Sequence, residues 1–281
     1  MELENIKLTK QMARVFGIAE QECKMSQTPC LMPGHLLIGC LDDGSFPIKE
    51  AKQKIGIDID ALRDSLEHSA DGFSNEFRKY FKLPVCRSTK LVIEQAILYM
   101  RNYNQIYLNE GHVLKALIKT GQTEKMLTQE QNNTLLNIAT VSRNMCLDVT
   151  DYKKPHTLSR EIRMASKEDA ERLILFIIEE FGTRWTESIQ HEFRKPHPSI
   201  FIAEDQKGDI VGFAAFDIHE PRFFGPMGVA KNKRAEGIGE SLLHVCLEAM
   251  QVKGYKEIII DDAGPIEFYE KTCQAKVIPF I

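Results

Sequence analysis

The chain has 281 residues, room for one large domain or two ordinary ones, and its 43% hydrophobic and 27% charged content is that of a globular protein. A net charge of -4 offers no basic footprint for nucleic acid, and no apolar run approaches the roughly 20 residues that span a bilayer. The opening Met1-Glu2-Leu3-Glu4 lacks a secretory profile, and seven scattered cysteines without C-x-x-C spacing read as free thiols. The expected location is therefore cytoplasmic, with no metal, no membrane and no nucleic acid among the partners.

Residues 1–147 read as helices joined by polar loops, and they contain a repeat. Sliding the chain so that His35 meets His112 also sets Val15 on Val92, Ala19 on Ala96, Leu31 on Leu108, Gly34 on Gly111 and Leu37 on Leu114, without a gap. Each copy is an amphipathic helix, a polar loop, and a second helix opening at Gly-His. Two copies of one helical unit bury their apolar faces against each other. The duplicated histidines sit near a helix start, which favours a buried, hydrogen-bonded role over metal ligation. The pattern resembles the double-repeat N-terminal domain of the Clp chaperone ATPases. His35-Leu36-Leu37 matches that family's helix start well and His112-Val113-Leu114 less closely, and Gly56 to Leu66 resembles the link between its repeats. No Walker A motif occurs, so the resemblance implies a module that binds a protein partner and not an unfolding motor.

Residues 148–159 are polar, contain Pro155 and lack an apolar face, which predicts a linker. From 160 to 281 the pattern alternates. It predicts a strand at Glu161–Met164, then a helix at Lys167–Phe181 capped by Ser166 with Asp169 at its third position, and a second helix at Thr183–Arg194. A hairpin of Ser199–Glu204 and Ile210–His219 follows, then a strand at Phe223–Val229 and a helix at Gly237–Lys253 ended by Gly254. A strand at Glu257–Asp261, a short helix at Pro265–Thr272 and a strand at Ala275–Phe280 complete the order.

The junction Met227-Gly228-Val229-Ala230-Lys231-Asn232-Lys233-Arg234-Ala235-Glu236-Gly237-Ile238-Gly239-Glu240 carries the chemistry. A strand gives way to a glycine-containing turn and a helix start, where unpartnered amides and the helix dipole favour an anion. Neither G-x-G-x-x-G nor a P-loop fits, because Leu242 and Glu240 stand where those motifs need other residues. Arg234, Gly237 and Gly239 form R-x-x-G-x-G, which resembles the acyl-CoA signature of the GCN5-related N-acetyltransferases (GNAT), and the order of elements from 160 to 281 is that family's. The resemblance implies an α/β fold with a mixed, mostly antiparallel sheet following the all-α repeat domain. It also implies acetyl-CoA as acyl donor and an amine, on a protein or a small molecule, as acceptor.

By the same resemblance, Met227, Gly228 and Val229 face the pantetheine arm, and Arg234, Ala235, Glu236, Gly237, Ile238, Gly239 and Glu240 hold the diphosphate. Glu236 and Glu240 place negative charge beside that anion. Tyr269 stands at the family's position for an acid that protonates the departing thiolate. No general base declares itself; His219 and Glu220, with Asp217 and Glu204 behind them, are the acids and bases within reach of an acceptor. Trp185, Phe223 and Phe224 read as core aromatics or as walls of the acceptor pocket. The family's seventh strand has no counterpart after Ile281. The acceptor side is then open, closed by the helical domain, or completed by the second subunit of a homodimer. The leading expectation is an N-acetyltransferase with an appended protein-binding domain, and the alternative is a non-catalytic adaptor or CoA sensor.

Overall fold

The computed structural model describes residues 6–66, 70–155 and 162–280. They form two compact units, Met1–Val141 with Pro279–Ile281 and Ser142–Ile278. The first unit runs β1 (Lys7–Leu8), α1 (Lys10–Met25), α2 (Pro33–Asp42), α3 (Phe46–Ile55), α4 (Ile59–Asp64), β2 (Phe73–Ser74), β3 (Val85–Cys86), α5 (Arg87–Asn102), β4 (Tyr107–Leu108), α6 (Glu110–Lys119) and α7 (Gln129–Ala139).

The repeat is visible in three dimensions. The offset that lays His35 on His112 carries α1 onto α5 and α2 onto α6 with the same bounds. Thr9 caps α1 by accepting from the Met12 N–H, and Cys86 caps α5 by accepting from the Thr89 N–H. The copies exchange backbone reciprocally: the Thr9 N–H donates to the Leu108 carbonyl at 3.1 Å and the Cys86 N–H to the Leu31 carbonyl at 3.0 Å. Between them Val15, Ala19, Leu36, Leu37, Val92, Ala96, Val113 and Leu114 are fully buried in one core. Gly39 lets α2 approach α1, since a Cβ there would lie 2.7 Å from the Val15 carbonyl oxygen.

Both histidines do the structural work expected of them. His35 Nδ1 accepts from the Met32 N–H at 2.9 Å, and His112 Nδ1 accepts from the Asn109 N–H at 3.2 Å. Each thereby satisfies a donor that the helix start leaves unpaired.

The second unit runs β5 (Arg143–Asp148), β6 (Ile162–Met164), α8 (Ala170–Phe181), α9 (Thr186–Glu192), β7 (Ile200–Glu204), β8 (Ile210–Phe216), β9 (Phe223–Val229), α10 (Ile238–Val252), β10 (Glu257–Ala263), α11 (Ile266–Cys273) and β11 (Lys276–Val277). The strands form one sheet in the order β11-β5-β10-β9-β8-β7-β6. Within this sheet, among the described residues, only β9 and β10 pair in parallel. On one face Leu242, Leu243, Cys246 and Leu247 of α10 pack on Met145, Ile258 and Ile260. On the other, Leu173 and Ile177 of α8 and Ile189 of α9 pack on Ile200, Ile202 and Phe213. This is the mixed, mostly antiparallel α/β fold that the order of elements implies. Ser166 and Asp169 form the expected capping box, with a 3₁₀ turn at Lys167–Asp169 preceding α8. Glu161 and residues 156–159 of the expected linker lie outside the described residues.

One boundary differs from the sequence expectation. Residues 143–147, read there as the end of the helical domain, belong to β5, which lies between β10 and β11 and is antiparallel to both. The seventh strand is thus supplied from upstream. The following segment, read as linker from 148, is also held in part. The Val149 N–H donates to the Lys256 carbonyl at 2.8 Å, Gln251 of α10 donates to the Val149 carbonyl at 2.7 Å, and the Tyr152 hydroxyl meets His244 Nδ1.

Candidate functional site

The candidate site lies where β9 and β10 part. Their parallel register covers Phe223 with Ile259 and Phe224 with Ile260, and nothing beyond. Each strand carries a bulge just past that point. The β8–β9 register shifts between the pairs Ala214–Met227 and Phe216–Phe224, so β9 holds an extra residue around Gly225 and Pro226. The β10–β5 register shifts between Ile260 and Ala263, at Asp261 and Asp262. Bulges bend a strand and re-aim its side chains. Pro226 has no N–H to give a ladder, which suits the break on β9. Beyond it, the Ala230 N–H donates to the Val211 carbonyl at 2.9 Å. Strand alternation then turns the N–H groups of Met227 and Val229 away from β8, toward the side that β10 has left.

The loop into α10 is built to present amides. Ala235 and Gly237 both have left-handed backbones, at φ 64° and 81°, so the chain turns sharply between the end of β9 and the first turn of α10. Gly237 is the N-cap and brings no side-chain acceptor. The first intrahelical bond runs from Ser241 to the Gly237 carbonyl, so the amides of Ile238, Gly239 and Glu240 precede the ladder. A Cβ on Gly237 would meet nothing within 4 Å; one on Gly239 would touch Val229, Phe268 and Met227 at 3.6–4.0 Å. The glycines therefore leave an opening over the first turn, walled by β9 and α11.

Not every predicted residue there is devoted to a ligand. Ile238 is buried in the core. Arg234 is half-buried, and its Nε donates to the Val229 carbonyl at 3.1 Å, tying the loop to the end of β9. Gly228 serves packing: a Cβ on it would lie 2.5 Å from Phe181 Cζ. Glu236 and Glu240 are exposed, and Glu240 lies 3.9 Å from His244 Nε2.

Tyr269 sits on α11 on the α10 face of the sheet, 7% exposed, edge-on to Phe224 and Phe268 at 6.3 and 5.0 Å between ring centres. Burial, and then Cys273 nearby, push its phenol well above the ordinary range, so it stays protonated. It can donate a hydrogen bond throughout the neutral range.

His219 and Glu220 are exposed in the turn between β8 and β9. They lie within electrostatic reach of Asp261, as do Arg184 and Asp262. Asp217 is occupied, accepting from the Arg222 N–H at 2.7 Å and from the Tyr255 hydroxyl at 3.2 Å. Glu204 is tied to Arg163 and Arg172 at 3.0 and 3.1 Å, and Arg163 holds its carboxyl below the ordinary range. Trp185 packs on Phe181 and Phe213 at 5.3 and 6.0 Å, and Phe224 is buried under Tyr269. These aromatics serve the core.

Asp261 is the residue that sequence reasoning missed. It is half-buried at the divergence of the strands, and its Cβ lies 3.8 Å from where a Cβ on Gly225 would be. Burial, chiefly, raises its carboxyl above the ordinary range. In sequence it reads as the last residue of a strand, and only the facing bulges bring it to the gap.

Among the described residues no group of His, Cys, Asp and Glu is placed to hold a metal, and no helix is long and apolar enough to cross a membrane.

Residues 7–130 match the Clp repeat (R) N-terminal domain and residues 161–274 the acetyltransferase (GNAT) family. No curated protein matches the sequence. Among solved structures, the chain is similar to a GCN5-related glucosamine N-acetyltransferase region of a fungal multi-domain GH3 β-N-acetylglucosaminidase, at 16% identity and TM-score 0.43, over 49% of this chain and 20% of that one. It is similar to the N-terminal domain of the chaperone ClpD from Arabidopsis thaliana at 22% identity and TM-score 0.38, over 50% and 94%. A GCN5-related N-acetyltransferase from Sphaerobacter thermophilus matches at 20% identity and TM-score 0.42, over 54% of each chain. The chain thus joins a Clp repeat N-terminal domain to a GNAT-family domain.

Proposed function

We propose that the GNAT domain binds acetyl-CoA and transfers its acetyl group to an amine, and that the Clp-type domain recruits a protein partner. The observation that supports this reading is the parting of β9 and β10 beside a helix start whose first amides, of Ile238, Gly239 and Glu240, precede the hydrogen-bond ladder. In this reading the amides of Ile238, Gly239 and Glu240 and the loop from Arg234 through Gly237 take the diphosphate. Met227, Gly228 and Val229 line the pantetheine arm, and the outward N–H groups of Met227 and Val229 stabilise negative charge developing on the thioester oxygen. Tyr269 donates to the departing sulfur. Holding both substrates in one cleft supplies the orientation that a bimolecular acyl transfer lacks in water.

The test is calorimetric titration with acetyl-CoA. Binding in the micromolar range is expected, and Gly237→Trp, which fills the opening over the first turn, should abolish it. Tyr269→Phe should lower turnover about 100-fold or more, while leaving cofactor affinity little changed. Absence of binding in the wild type would end the acetyl-transfer case. The carboxylates of Glu236 and Glu240 beside the phosphate seat favour a second reading, a CoA-sensing adaptor. Binding without thiol release across a broad amine panel would select it.

A further inference from the structure

We propose that Asp261 accepts the proton from the incoming amine, and that Ser142 and Asn144 of the upstream segment hold it in position through Asp262. This inference rests on the acetyl-transfer reading. The geometry begins with the backbone of Asp262, which is left-handed at φ 48°. For a residue with a Cβ that conformation is strained and persists where surrounding contacts enforce it. Here they do. The Asp262 N–H donates to Asn144 Oδ1 at 2.9 Å, its Oδ1 accepts from the Ser142 hydroxyl, and its Oδ2 accepts from the Arg184 guanidinium. These contacts fix the β10 bulge, and the bulge sets the direction of Asp261.

Asp261 then stands opposite the other bulge, beside Gly225 on β9. The two irregularities face each other across the gap, and Gly225 leaves the space between them without a side chain. Charged groups approach Asp261 from three elements: His219 and Glu220 from the β8–β9 turn, Arg184 from the α8–α9 turn, and Asp262 on its own strand. Half-burial makes this carboxylate a better proton acceptor than a solvated one.

The amine arrives as an ammonium ion, and the Asp261 carboxylate takes one proton and frees the nitrogen lone pair. The new N–C bond forms at the thioester carbonyl, the C–S bond breaks with its electron pair going to sulfur, and a second proton from nitrogen ends on the thiolate. The products are the amide and free CoA thiol, and Asp261 returns its proton to solvent.

Three full-length variants test this: Asp261→Asn, Asn144→Ala, and Asn144→Ala combined with Asp262→Gly. Thiol release from acetyl-CoA would be followed against pH with a lysine peptide, a polyamine and an aminosugar as acceptors. The Asp261 carboxyl would be titrated by carbon-13 NMR in the free protein. Asp261→Asn should lose about 100-fold or more in kcat/KM, together with the acid limb of its pH profile, while acetyl-CoA affinity by calorimetry stays unchanged. Asn144→Ala should lower kcat/KM and move the acid limb. Glycine at 262 should restore both, because glycine adopts the left-handed backbone without support. Retained turnover and acid limb in Asp261→Asn would overturn the proposal, as would an Asp261 carboxyl that titrates like a solvated aspartate. If the wild type neither binds acetyl-CoA nor releases thiol, the acetyl-transfer reading fails. The carboxyl titration still decides whether Asp261 is held as described.

Discussion

The two domains are specified over different distances. In the Clp-type domain each repeat states its own geometry within a few residues: Thr9 reaches Met12, Cys86 reaches Thr89, His35 reaches Met32 and His112 reaches Asn109. Duplicating such a unit duplicates its caps, and the side chains around them can then diverge. Ser26 hydrogen-bonds His35 at 2.9 Å, while Tyr103, the equivalent position, stacks on His112 at 5.9 Å. The GNAT domain depends on partners far away in the chain. Its β5 pairs with β10 from Asp148 with Glu257 to Met145 with Ile260, and the bulges that open the cleft exist only as mismatches between strands. A local design tolerates local change, whereas a sheet assembled from distant segments fails as a whole.

The largest effect should come from breaking the distant pairing. Met145 is fully buried between β10 and β11, so Met145→Asp places an unpaired charge in the core and should cost about 4 kcal/mol or more. Hydrogen exchange should show lost protection across Ser142–Ile278 and intact α1, α2, α5 and α6. Loss in both domains, or in neither, would contradict the distinction.

Next is a local effect that depends on pH. Burial, with Lys115 nearby, lowers the His112 pKa from 6.5 to about 4. The unfolded chain therefore binds a proton that the folded one refuses between those values, and stability falls as pH drops through that window. The loss approaches roughly 3 kcal/mol below it. The stability advantage of wild type over His112→Gln, from urea unfolding followed by NMR at α6, should shrink between pH 7 and 4.5. A constant difference would refute the assignment.

Gly228→Ala drives a Cβ to 2.5 Å from Phe181 and should cost about 1–3 kcal/mol by denaturant midpoint, with Phe181→Leu recovering part of it. The smallest effect belongs to Ala235, whose left-handed backbone is strained by its own Cβ. Ala235→Gly should raise stability by less than about 1 kcal/mol, since relief of strain is partly offset by the entropy of a freer unfolded chain. A lower melting temperature would show that this turn holds no strain.

The legible parts of the sequence were those with short-range signals. Phe223–Val229 is an apolar run whose ends are those of β9, and Gly237 and Gly254 mark the two ends of α10. The strand Arg143–Asp148 does carry a signal, Met145 and Leu147 on one side and Asn144 and Asp148 on the other, but its place after a helical run reads as the end of the helical domain and the start of a linker. Asp261 carried no signal at all. Its neighbours Ile258, Ile259 and Ile260 announce a strand, and nothing in the letters says that the strand slips by Asp262.

Periodicity, caps and the glycine-bearing turn thus determined the helical repeat, the α/β order and the turn into α10, because each is an interaction among residues a few positions apart. The seventh strand's origin, the opening of the sheet and the carboxylate placed at it were decided only by tertiary structure. Register and bulge belong to a pair of strands, and neither strand alone encodes where the other will stop.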